Sequence, residues 1–181
     1  VAVLRQQQRH TASFEQVREQ HFGVEPVDAL GCGAQRVASA QAEFRESLKD
    51  WPPERLEAYI AKHYPAYWLK VDLPHKIRHA NFVRSAQDTG KNLASTIAFD
   101  SERAVTELTV LAPDHPWLLS IIAGACAMAG ANIVDAQIYT TTDGMALDTI
   151  SLSREFDRDE DEQRRANRFA DHSRNTGVQI R

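Results

Sequence analysis

The 181-residue chain sets 21 Lys and Arg against 25 Asp and Glu, for a formal net charge of −4, and is 43% hydrophobic. That balance leaves no basic footprint for nucleic acid, and no apolar run approaches the roughly 20 residues that cross a membrane. Cys32 and Cys126 lie far apart, outside any metal or redox spacing, which suits a reducing cytoplasm rather than a disulfide scaffold.

The first residues, Val1-Ala2-Val3-Leu4-Arg5, lack the charged-then-apolar order of a signal peptide. With no initiating Met, the chain reads as an internal piece of a longer protein or a processed product. Residues 1–34 are a segment of their own. Phe14, Val17 and Phe22 hint at a short helix, and Gly31-Cys32-Gly33 breaks what precedes it.

Residues 35–92 read as a helical linker. Val37, Ala40, Phe44 and Leu48 recur at steps of three and four and lay one apolar stripe along a helix. Asp50-Trp51-Pro52-Pro53 stops that helix, because proline lacks an N–H and restricts the residue before it. Pro53 suits the first turn of the next helix, whose stripe is Leu56, Tyr59, Ile60 and His63. Tyr64-Pro65-Ala66-Tyr67-Trp68 reads as an aromatic turn. A third helix opens near Pro74 with Asp72 as its cap, shows Ile77, Ala80 and Val83 on one face, and closes at Thr89-Gly90-Lys91.

From Leu93 the period becomes two. Leu93, Ser95, Ile97 and Phe99 mark one strand, and Asp100-Ser101-Glu102-Arg103 a turn. Ala104, Thr106, Leu108 and Val110 mark a second strand, with Glu107 and Thr109 on its other side. That pattern predicts an antiparallel sheet with one dry and one wetter face. Pro113-Asp114-His115-Pro116 turns into a helix running to about Ala129 and Gly130, with Asp114 as N-cap and Pro116 in the first turn. Residues 132–141 form a strand with Val134, Ala136 and Ile138 on one face. Thr142-Asp143-Gly144 is a hairpin, and Met145 to Ser153 the return strand. A charged helix over residues 155–171, a turn at Asn175-Thr176-Gly177 and a last strand at 178–181 complete the pattern. The fold class is α+β: a helical N-terminal arm, then a ferredoxin-like βαββαβ domain over 93–181 with an antiparallel sheet.

The run from Thr106 through Pro116, then Ile121-Ile122-Ala123-Gly124-Ala125, Ala129-Gly130-Ala131-Asn132-Ile133-Val134 and Thr140-Thr141-Thr142-Asp143-Gly144-Met145-Ala146-Leu147-Asp148-Thr149, resembles the first ACT repeat of the bacterial PII uridylyltransferase/uridylyl-removing family. Ala61-Lys62-His63-Tyr64-Pro65-Ala66-Tyr67-Trp68-Leu69 resembles the segment preceding that repeat, so the resemblance runs from about Gln35 to Arg165. It implies a parent enzyme that uses Mg2+ and UTP to uridylylate the PII signal protein when glutamine is low and reverses this when glutamine is high. The catalytic parts that the resemblance implies for the parent are not found here. There is no Gly-Ser turn with paired aspartates and no His-Asp pair, so the chain reads as a regulatory fragment, not an enzyme. Asp157, Asp159 and Asp161 read as a solvated helix N-terminus instead.

Asp114, His115, Pro116, Trp117 and Leu118 sit where a strand feeds a helix N-terminus, whose exposed amides favour a carboxylate such as that of an amino acid. Asn132 and Ile133, at the start of the next strand, are expected nearby at the same end of the sheet. The resemblance implies a ligand, glutamine, held between paired domains, hence a homo-oligomer joined through a sheet edge or helix face. Trp117 stands where the family's loop usually has glycine, which supports an alternative: a pairing module that binds no small molecule. An ACT sensor from another amino-acid enzyme is a third reading, opposed by the Tyr-Pro-Ala-Tyr-Trp segment. His75 and His79 share a helix face, as zinc ligands can, but no third ligand is evident and they read as a solvated pair. His63, Tyr64, Tyr67 and Trp68 read as a packed corner, and Cys126 as inert core. The sequence does not decide which way Asp148 faces.

Overall fold

A first helix, α1 (Leu30–Ser47), opens one residue before the Gly31-Cys32-Gly33 segment, which lies in its first turn. A computed structural model describes residues 30–100, 102–128, 130–154, 160–162 and 164. The short helix near Phe14, Asp157 and Asp159, the turn at 175–177 and the strand at 178–181 lie outside the described residues. Helices α2 (Pro53–Ala61), α3 (Pro65–Lys70) and α4 (Leu73–Asp88) follow. Proline opens α2 and α3 at the first helical positions, where a missing N–H costs nothing. The aromatic turn is therefore a short helix of its own. Asp72 caps α4 as expected, accepting the backbone N–H of His75 at 2.9 Å.

The sheet comprises β1 (Ala94–Asp100), β2 (Val105–Pro113), β3 (Ile133–Thr140) and β4 (Met145–Ser153), in the order β1-β2-β4-β3, with every neighbouring pair antiparallel. Helix α5 (Leu118–Met128) crosses from β2 to β3. Gly130, at φ +69°, ends it: the Ala131 N–H reaches back to the Cys126 carbonyl, closing the last turn. The fourth strand of the sheet is β1, contributed from the N-terminal side. The antiparallel α+β expectation holds.

Both faces of the central strands β2 and β4 are dry, against the expectation of one wetter face. Leu108, Val110, Ala112, Ala146, Ile150 and Leu152 pack with Leu118, Ile122 and Cys126 of α5. On the opposite face Leu111 and Leu147 join Phe44, Trp51, Leu56, Tyr59, Tyr67, Trp68 and Val83 of the arm in one core. The arm thus supplies most of that core, and the sheet contributes Leu111 and Leu147 to it. The polar residues that suggested solvent, Glu107 and Thr109, are buried, as are Thr149 and Ser151 of β4.

Candidate functional site

Strand β2 delivers Asp114 at its C-terminal end, and the chain turns at His115-Pro116 before α5 begins at Leu118. His115 closes this turn twice: its carbonyl accepts the Leu118 N–H at 2.9 Å, and its Nδ1 accepts the Trp117 N–H at 3.2 Å. Asp114 is not the cap that the sequence suggests. Its Oδ2 instead accepts from the Thr140 hydroxyl at 3.0 Å, tying the loop to the end of β3. Asp114, His115, Pro116 and Trp117 are exposed, with Trp117 60% so, whereas Leu118 is buried beneath the helix.

Asn132 and Ile133 are not at this end of the sheet. Strands β2 and β3 both pair antiparallel to β4 and therefore run parallel to each other. Thr140 sits opposite Ala146, in the row of Ala112, while Ile133 sits opposite Leu152, in the row of Thr106. Six residues along β4 separate the two rows, a span on the order of 20 Å. A strand–helix–strand crossover always does this: the loop after the first strand and the start of the second lie at opposite ends.

Two residues near the loop escaped the sequence reading, although the Thr-Thr-Thr-Asp-Gly hairpin was itself legible. Thr140 bonds Asp114, and the Gly144 carbonyl accepts the Asp114 backbone N–H at 2.8 Å. The hairpin is held by Gly144 at φ +76° and by the Thr141 hydroxyl, which donates to Asp143 and accepts the Met145 N–H. Its far side is fixed to the arm: the Thr142 N–H donates to the Lys62 carbonyl at 2.9 Å, and Lys62 Nζ pairs with Asp143 at 2.8 Å.

Asp148 takes the α5 face, level with Val110 and Ile138 in the register. It is 1% exposed, and its Oδ1 has no hydrogen-bond partner. Burial pushes its carboxyl up to about 7, the Tyr139 backbone N–H pulls it down, and the Asp114 charge pushes it up again.

His75 and His79 are not solvated; they face the arm side of the sheet. His79, almost fully buried, sits in a chain of hydroxyls: Tyr59 to Tyr67 at 3.1 Å, Tyr67 to His79 Nδ1 at 3.2 Å, His79 Nε2 to Thr149 at 3.0 Å, and Thr149 to Thr109 at 3.2 Å. Burial pushes its imidazole down to about 3, with His75, His63 and Arg78 adding to the effect. His75 bridges Asp72 at 2.6 Å and Glu107 at 2.8 Å, and Arg78 meets the other Glu107 oxygen at 2.5 Å. Among the described residues no group of three or more His, Cys, Asp or Glu could hold a metal ion. Cys126 is buried and free, and burial raises its thiol. His63, Tyr67 and Trp68 form the packed corner, with His63 stacked on Tyr67 at 4.0 Å, while Tyr64 is exposed.

Glu107 is therefore the polar bolt between arm and sheet. Glu107→Gln is expected to lower stability by about 1–3 kcal/mol, because Arg78 and His75 lose a carboxylate and Arg78 is half exposed, which softens the loss. The shift of the urea midpoint measures it; an unchanged midpoint would show that the cluster contributes nothing net.

No model of a known protein family matches the chain. It is 62% identical over 159 residues to the bifunctional uridylyltransferase/uridylyl-removing enzymes of Bradyrhizobium sp. (strain ORS 278), Rhodopseudomonas palustris and Nitrobacter winogradskyi. The match covers 86% of this chain, and the chain spans only 17% of the length of each of these relatives. The resemblance drawn from the residues is borne out: the chain is similar to one fragment of a much longer enzyme. No helix among the described residues is long and apolar enough to cross a membrane.

Proposed function

Starting from that kinship, we propose that this chain is the sensory segment of a uridylyltransferase/uridylyl-removing enzyme, binding glutamine and biasing the parent's two opposed activities on the PII signal protein. The fragment carries the regulatory role; Mg2+ and UTP chemistry belongs to the rest of the parent, and the cytoplasm is its compartment.

One observation carries the reading: the two halves of the candidate site lie at opposite ends of the same sheet, and among the described residues β3 is its edge strand, with no strand paired on its outer side. Its Ile133, Val134 and Ile138 are exposed, at 37%, 56% and 43%. An unpaired apolar edge strand is a template for another strand. A two-fold copy pairing antiparallel along β3 brings its own Asn132 and Ile133 beside residues 114–118 of the first chain, and the reverse holds at the other end. The site is then composite, made twice per pair, and pairing and ligand binding are one linked equilibrium.

The test is calorimetric titration of the folded chain with glutamine, with glutamate and serine as controls, beside sedimentation of the same sample. Saturable heat with glutamine alone is expected, along with loss of both binding and pairing in Val134→Glu. A folded, paired sample that gives no heat with any of the three would replace this reading with that of a structural pairing module. The exposed Trp117 ring, in the loop where close approach of a ligand is needed, is the feature that favours that second reading.

A further inference from the structure

We propose that Asp148 supplies the counter-charge for the ammonium group of an amino acid held at the 114–118 loop, and releases a proton when that ligand arrives. The inference rests on the amino-acid reading above and adds to it a specific residue and a specific ligand group.

Consider what faces this carboxyl. Helix α5, Leu118-Leu119-Ser120-Ile121-Ile122-Ala123-Gly124-Ala125-Cys126-Ala127-Met128, offers it no charge of either sign. Strand β2 sets Val110 beside it, and β3 sets Ile138. Among the described residues no cation pairs with it, and one oxygen is left with no partner at all. The other charged group acting on it is a second acid, Asp114, at the end of the strand that leads into α5. Two carboxyls with no cation between them, one buried and half satisfied, are a costly arrangement even with buried Thr106 and Glu162 bonded to each other on the same side of the sheet. Buried groups with perturbed protonation and an unfilled hydrogen bond concentrate at functional sites.

The chemistry of the completing ligand follows from its two ends. The start of α5 presents backbone N–H groups and the positive end of a helix dipole, which take a carboxylate. The two acids take a cation. A group bearing both charges one carbon apart is an α-amino acid, and it satisfies both ends at once. Below neutral pH the Asp148 carboxyl keeps its proton, since burial and Asp114 both favour the neutral form. An ammonium placed against Oδ1 favours the carboxylate: the O–H proton leaves to solvent, and an N–H of the ammonium donates to the oxygen it vacated.

The experiment is titration of the whole chain with glutamine at pH 6 in two buffers of different ionisation enthalpy, repeated with Asp148→Asn and with glutaramic acid, which is glutamine without its α-amino group. The expected result is release of most of one proton with glutamine and none with glutaramic acid, and an affinity for glutamine about 10-fold or more weaker in Asp148→Asn. Glutaramic acid should bind wild type and variant alike. Glutamine binding with no proton released, and equally tight in the variant, would overturn the Asp148 assignment and leave the sensor reading standing. Absence of glutamine binding in folded wild-type protein would overturn both.

Discussion

Asp148→Asn is expected to stabilise the protein at pH 8 and to leave it unchanged at pH 4. The carboxyl titrates near 3.8 when unfolded and near 7 in the fold, so between those values the folded chain holds a proton that the unfolded chain has lost. Stability from this group is intact below pH 4, falls as pH rises through that window, and levels off above 7. At about 1.4 kcal/mol per pH unit the loss amounts to at most about 4 kcal/mol. Asparagine keeps the acceptor for the Tyr139 N–H and never ionises. His63 and His79 act with the opposite sign. Burial pushes them down to about 4 and about 3, so below pH 6.5 the unfolded chain binds protons that the fold refuses, and stability falls with acid. The two slopes oppose each other and place the stability maximum near pH 6.5. Urea midpoints at pH 4, 6.5 and 8 for wild type and Asp148→Asn provide the check. A difference between the two proteins that does not change with pH would show that Asp148 is already ionised in the fold.

Trp68→Ala is expected to cost about 3–5 kcal/mol, and Trp68→Phe under about 1.5 kcal/mol. Trp68 is 2% exposed, meets Phe44 edge-on at 5.2 Å and Tyr67 at 5.4 Å, and lies in the core shared by arm and sheet. Removing it opens a cavity that rigid neighbours cannot fill. The phenylalanine contrast is sharp because the Trp68 Nε1–H has no acceptor, so deleting it gives up no hydrogen bond and relieves a buried orphan. The Lys76 Nζ bond at 2.8 Å is to the Trp68 backbone carbonyl and survives either change. Thermal or urea unfolding of the two variants decides; equal losses would mean that the indole nitrogen is satisfied in solution.

Periodicity alone made most of the elements legible. The Val37, Ala40, Phe44, Leu48 stripe, the Asp72 cap and the hairpin glycine are local signals, and local signals survive folding. Contacts between distant segments were not legible. Glu107 and Thr109 look like solvent-facing positions because their partners, His75 and Arg78 for Glu107 and Thr149 for Thr109, lie 29 to 40 residues away. Polar residues docking on polar residues leave no hydrophobic trace in either segment. The misplacement of Asn132 and Ile133 differs in kind. The residues were read correctly, but the direction of β3 follows from the crossover rather than from any residue. Asp148 was visible as an anomaly between apolar neighbours, while its orientation required the register.

The hairpin at residues 141–144 behaves as a strut with little slack. It is braced internally by Thr141 and Gly144, and it has a foot at each end: the Asp114 backbone on one side, and the carbonyl and ammonium of Lys62 on the other. A strut carries displacement without storing it. The 114–118 loop is therefore tied through this hairpin to the end of α2, next to the stacked His63 and Tyr67 rings. The same contacts bind the arm to the loop, so the two ends of the hairpin are fixed to different parts of the chain.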